Sequence, residues 1–134
     1  DESIKWVREF FKNIISVTPR EIVVGWEPRG IWASIESRSV LEEILRDNNI
    51  PHIVDPFKRM PTHIHRVLYF RLHGIGSRET NYRYKYSDED LLKLANVIRE
   101  IGFSNVYVLF NNIYMFDDAL KFKKLCSENG LNVI

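Results

Sequence analysis

The sequence predicts an α/β fold built on a parallel sheet. Short apolar runs alternate with segments of helical periodicity, and the runs are apolar throughout rather than at every second residue. Each run then ends in polar residues. Ile4, Val7, Phe10, Phe11, Ile14 and Ile15 recur at helical spacing, and Pro19 closes that first helix. Glu21 to Glu27 is short and β-branched and reads as a buried strand. Glu36 to Asn48 carries Val40, Leu41, Ile44 and Leu45 on one helical face, and Ile53 to Asp55 is a brief second strand. Val67 to Gly74 is the third and clearest strand. Ser87 is a good helix N-cap, with Asp90 at the third helical position. Leu91, Leu94, Ala95, Ile98 and Ile101 form the face of that helix, and Gly102 stops it. Val106 to Phe110 is a fourth strand, Asp117 to Asn129 a fourth helix, and Gly130 its stop. One joint stays open. Asp55 to Val67, broken by Pro56 and Pro61, has no helical pattern and allows an antiparallel pair, although it is just long enough for a parallel crossover.

Composition narrows the function classes. The 134 residues are expected to form a single domain, and 45% hydrophobic with 13% aromatic content is ordinary for a globular chain. A net charge of +1 gives no general electrostatic footprint for nucleic acid. Cys126 is the one cysteine, so no internal disulfide or Cys-based zinc cluster can form, and the expected location is intracellular, in the cytoplasm. No apolar run approaches the roughly 18–20 residues of a membrane span. The start at Asp1, with no leader pattern, is what a processed, cleaved or cut chain would show.

The chemistry-bearing residues gather where the strands end. The first strand finishes in Glu27 and Arg29, the second in Asp55, the third in Arg71 and His73, the fourth in Asn111 and Asn112. In parallel sheets ligands bind at the carboxyl ends of the strands, so this polar row is the candidate site. Arg71 and His73 are two apart and project to one face of their strand. The competing explanation is structural: charged residues end strands that reach solvent, and Glu27 or Asp55 would then be an ion-pair partner for Arg71.

Three chemistries compete at that row. Glu27, Asp55 and His73 form a mixed oxygen and nitrogen set for a divalent metal, but Arg71 beside them would repel a cation, so a metal is open but not favoured and the sequence names no particular cofactor. Phosphate is the better ligand, with Gly74, Gly76, Ser77 and Arg78 in the following loop and Arg71 as a fixed fork. Against it, Asp88, Glu89, Asp117 and Asp118 crowd the nearby helix starts, and the glycines can equally serve a turn. General acid–base work by Glu27, Asp55 or His73 is also open. Nucleophilic catalysis is not supported: there is no Gly-x-Ser-x-Gly, and Cys126 lies with Phe122 and Leu125 on a packing face. Tyr82-Arg83-Tyr84-Lys85-Tyr86 alternates aromatic with basic residues, as single-strand nucleic-acid surfaces do, and Lys58, Arg59, His63, His65 and Arg66 would extend it. The plainer alternative is an aromatic plug with solvated charges.

Three segments together resemble a known family: Phe70-Arg71-Leu72-His73-Gly74, Tyr84 to Leu91, and Val108-Leu109-Phe110-Asn111-Asn112. Their arginine-apolar-histidine-glycine, tyrosine-serine helix start and aromatic-asparagine-asparagine patterns are similar to those of the domain of unknown function 72 (YecE-like) family. Glu27-Pro28-Arg29 with Trp32, and Asp55, are similar to that family's upstream strand ends. Gly30 stands where the family pattern has histidine, and Ile113, Tyr114 and Met115 replace the usual small residues. The resemblance spans nearly the whole chain but only the C-terminal half of the family's usual length. It implies the C-terminal half of a TIM-like (β/α) barrel, with four mainly parallel strands and flanking helices, and no established activity.

Four strands cannot close a barrel of the usual eight, so the expected partner is a missing N-terminal half or a second copy of the chain. The function expected first is an enzyme acting on a small anionic or sugar-like substrate, phosphorylated substrates included. Glu27, Asp55 and His73 would handle protons, while Arg29, Arg71, Asn111, Asn112 and Tyr84 would bind the substrate. The alternative is a non-catalytic binding module at the same mouth, for single-stranded nucleic acid.

Overall fold

The computed structural model describes residues 2–102 and 105–134. The protein has a mixed α/β fold whose residues pack as two compact units, Asp1–Ile53 with Pro61–Arg66, and Val54–Met60 with Val67–Ile134.

The first unit holds helices α1 (Glu2–Val17) and α2 (Arg38–Asp47), with a short 3-10 turn at Gly30–Ala33 between them. Phe11, Leu41, Ile44, Leu45 and Ile50 make its core, with Val7, Ile14 and Ile15 packed against it, whereas Phe10 of the expected α1 face is 59% exposed. Ring contacts at 4.9 and 5.4 Å carry that core from Phe11 through Trp26 to Trp32. An Arg8–Glu43 ion pair at 2.7 Å links α1 to α2 at the surface. The strand expected over Glu21 to Glu27 shrinks to one parallel bridge, Trp26 with His52. Its bonds run from Trp26 N to Pro51 O at 3.1 Å and from Ile53 N to Trp26 O at 2.8 Å. Ile22 and Val23, apolar but exposed, have no ladder to join and no core to enter.

The second unit is built on a two-stranded parallel sheet, β1 (Leu68–Leu72) with β2 (Val106–Phe110), in register from Leu68↔Val106 to Leu72↔Phe110. Val54 adds a parallel bridge to Phe70, so the open joint after Asp55 resolves as a parallel connection. Helices α3 (Asp88–Ile101) and α4 (Met115–Glu128) supply the other half of the core. Leu91, Leu94, Ala95, Phe122 and Cys126 pack with Leu68, Phe70, Leu72 and Phe110. Burial pushes the Cys126 thiol above its ordinary pKa, as befits a packing cysteine. The opposite sheet face is not covered within the unit. Tyr107 and Leu109 are exposed there, and Tyr69 stacks on Tyr107 at 6.2 Å. Among the described residues no helix is long and apolar enough to cross a membrane.

Helix α3 shows how local chemistry sets an element. Ser87 Oγ accepts from Asp90 N at 3.2 Å, and Asp90 Oδ2 accepts from Ser87 N at 2.9 Å, closing a capping box. Gly102 ends the helix with φ 72°, a left-handed conformation that suits glycine. Burial opposes the Asp90 charge, but hydrogen bonds from the Ser87 amide, the Tyr84 hydroxyl and the Ser87 hydroxyl outweigh it and hold the carboxyl below 3.8. Ser87→Ala is expected to cost about 1 kcal/mol in urea unfolding. A lowered folded-state pKa means that the Asp90 contribution is present above pH 3.8 and lost as pH falls through the folded value. The gap between wild type and Asp90→Ala should therefore narrow on acidification, and an equal gap at pH 7 and pH 2.5 would contradict the capping role.

Candidate functional site at the strand ends of the second unit

Period-two alternation along β1 and its continuation places Tyr69, Arg71 and His73 on one side. The same alternation along β2 places Tyr107, Leu109 and Asn111 beside them. The register carries on past the ladder, with Asn111 N donating to Leu72 O at 2.8 Å. It brings the Asn111 amide to His73, Nδ2 to Nδ1, at 3.1 Å. That separation is a hydrogen-bond distance, so the amide and the ring hold each other in place. His73 is 2% exposed, and the Tyr82 ring stands edge-on to it at 6.0 Å.

Asp55 fixes the backbone under that histidine. Its Oδ2 accepts from His73 N at 2.9 Å and its Oδ1 from Phe57 N at 3.0 Å. Burial is the largest influence and raises the Asp55 pKa above 3.8, although both amides pull the other way. Gly74 is next in the chain, with φ 83°, and a Cβ there would lie 2.1 Å from Asn81 O. Only glycine fits. The tight approach lets Asn81 N donate to His73 O at 2.6 Å and Gly74 N donate to the Tyr86 hydroxyl at 2.8 Å. Gly74 thus serves the turn of this loop.

Several residues of the polar row are held within the fold. Asn112 Nδ2 donates to Tyr84 O and to Asp118 Oδ2, both at 2.7 Å, which ties the end of β2 to the start of α4. The Tyr84 hydroxyl donates to Asp90 Oδ2 at 2.7 Å, and that bond raises the phenol to about 12. Glu27 and Arg29 lie in the first unit and form an ion pair with each other. Arg71 is half-buried. Among the described residues no group of three or more His, Cys, Asp or Glu side chains is placed to share a metal ion.

The aromatic-basic run does not make a row of stacking platforms. Tyr86 is 1% exposed, Tyr84 is half-buried and meets it edge-on at 5.2 Å, and Tyr82 is exposed. Arg59 is forked onto Glu79 at 2.8 and 2.9 Å, and Lys58 Nζ donates to Arg78 O. His63, His65 and Arg66 belong to the first unit and Lys58 and Arg59 to the second. Sequence reasoning missed the Tyr82–His73 and Tyr86–Gly74 contacts. The aromatic run marked those tyrosines, but nothing in its spacing said which ring would turn toward the strand ends.

Comparison with known proteins matches residues 2–132 to the model of a family described as protein of unknown function DUF72. The chain belongs to the DUF72 family. Among solved structures, a DUF72 family protein of Thermotoga maritima MSB8 is 28% identical, with a TM-score of 0.64 over 90% of this chain and 51% of its own. A DUF72 family protein of Enterococcus faecalis V583 matches in fold at 16% identity, with a TM-score of 0.68 over 100% of this chain and 55% of its own. The chain therefore spans about half the length of the solved relatives it matches. Comparison with curated proteins brings out no match.

The Asp55 geometry makes a prediction of its own. Asp55→Asn keeps one acceptor but turns an NH2 toward a backbone N–H, and should destabilise the protein by about 1–3 kcal/mol although it removes a buried charge. A folded pKa above 3.8 means that the folded state holds the proton more tightly than the unfolded chain. Stability from this group therefore falls as pH rises from 3.8 through the folded value. Carboxyl-detected NMR should place the Asp55 midpoint above 3.8; a midpoint below it would show that the amides outweigh burial.

Proposed function

We propose that this DUF72 chain contributes one side of a site for a small anionic or sugar-like ligand, at the strand ends of the C-terminal half of a TIM-like barrel. The observation that carries the reading is the Asn111–His73–Asp55 arrangement, in which the Asn111 amide meets a buried imidazole at Nδ1 and Asp55 holds the histidine backbone. His73 handles the proton, Arg71 on the same strand face attracts the anion, and the Tyr82 ring offers an apolar edge. Asp55 acts as a positioning group, since both of its oxygens are held by backbone amides.

Thermal-shift titration with sugar phosphates tests this. Stabilisation of about 2–3 kcal/mol is expected for the wild type at a hundredfold excess over Kd, weakened about tenfold in affinity by Asn111→Ala and more by His73→Ala. Stabilisation by oligonucleotides instead, with a steep salt dependence, would favour the nucleic-acid reading. Ligand responses unchanged in both variants would move the site away from the strand ends.

A second reading concerns the open sheet face. Tyr107 is 56% and Leu109 41% exposed beside the Tyr69 ring, while solved relatives have about twice the length of this chain. We infer that this face is closed by a second β/α half, and that the 134-residue chain alone supplies it as another copy. Sedimentation should show a dimer or larger species that Tyr107→Lys shifts toward monomer. A stable wild-type monomer at tens of micromolar would count against this.

A further inference from the structure

The first unit contains a cavity of about 200 Å³ that lies apart from the polar row in the chain, bounded by segments that precede the strand positions rather than follow them. Thr18 to Val24 come before the Trp26 bridge, and Asn48 and Asn49 come before His52. Its size suits a small molecule rather than one or two waters.

The lining has a definite chemical character. Arg20, His65 and Arg66 contribute basic groups, and no carboxylate is among the lining residues. Neither Arg20 nor Arg66 is held by an ion pair among the described residues, whereas Arg8, Arg29, Arg46 and Arg59 each are. Ile15, Pro19, Ile22, Val23 and Val24 form an apolar wall, and Ile22 and Val23 are 56% and 40% exposed. Two planar forks beside an apolar wall match an oxyanion that carries a short hydrocarbon arm.

The ends of α1 and α2 also border this cavity, and their carbonyls would by themselves disfavour an anion. Four of those carbonyls are already occupied. Ile14 O accepts from Thr18 N at 3.0 Å and from Thr18 Oγ1 at 2.6 Å. Ile44 O accepts from Asn48 N at 3.3 Å and from Asn48 Nδ2 at 2.8 Å. Leu45 O and Arg46 O accept from Ile50 N and Asn49 N. Neither arginine is the donor at any of those four carbonyls.

We propose that this cavity binds a small organic phosphate, with Arg20 and Arg66 gripping the phosphate and the Ile22–Val24 wall covering its hydrocarbon arm. A monoester dianion suits two guanidinium groups better than a single carboxylate does. The site is independent of the His73 site and stands or falls separately from it.

The test is titration of the intact chain with inorganic phosphate and with phenyl phosphate, at constant ionic strength against chloride, followed by amide NMR. Both should shift the Asn48, Asn49 and Arg66 amides, phenyl phosphate binding more tightly than inorganic phosphate. Arg20→Gln with Arg66→Gln, two exposed positions, should weaken phenyl phosphate at least tenfold and leave the melting temperature of the free protein unchanged. His73→Ala should leave this binding intact. Equal affinity in the double variant, shifts confined to the residues around His73, or no response beyond that to chloride would each overturn the proposal.

Discussion

Asp55 sits at the end of the Val54 bridge and gives both carboxylate oxygens to backbone amides, one in its own turn and one at His73. Burying a charge is costly, and here two N–H donors replace the water it loses. Their geometry locks the strand end against its neighbour. The rest of the second unit's strand-end chemistry depends on that lock. It fixes where the His73 backbone lies, the parallel register then brings Asn111 to the ring, and the tight turn at Gly74 folds Asn81, Tyr82 and Tyr86 back over it. In the site proposed above, His73 takes its support from neighbouring backbone and side-chain groups of this kind.

The two sides of the β1–β2 sheet divide the work. Leu68, Phe70, Leu72 and Phe110 are consumed by packing with α3 and α4. On the other side Tyr69, Tyr107 and Leu109 share a surface with Arg71, His73 and Asn111, so the exposed apolar face leads directly to the polar cluster. A contiguous exposed patch of aromatic and leucine side chains commonly marks an interaction surface. The solved relatives that this chain matches are about twice its length.

Elements with strong local chemistry were legible in the residues. The Ser87–Asp90 box, the Gly102 stop and the Val106–Phe110 strand are found as read, because caps and short β-branched runs act over a few residues. The strands expected over 21–27 and 53–55 survive only as single bridges at Trp26, His52 and Val54. A ladder needs a partner along its whole length, and apolar composition cannot say how much partner there is. The 3-10 turn at Gly30–Ala33 has no signal of that kind. Within the site, Asp55, His73 and Asn111 were legible as strand-end polar residues, whereas the use of Tyr84 and Asn112 as internal ties was not.

The sequence by itself determined the α/β class, the helix faces and stops, and the residue types that end each strand, since these follow from periodicity and local hydrogen bonding. The tertiary structure decided which of those polar residues meet. It paired Asn111 with His73, turned Asp55 inward onto two amides, and kept Glu27 with Arg29 in the other unit. It also assembled Arg20, His65 and Arg66 around one cavity from segments far apart in the chain. Contacts of that kind depend on register and on the path of the backbone between elements, and neither leaves a periodic trace in the residues themselves.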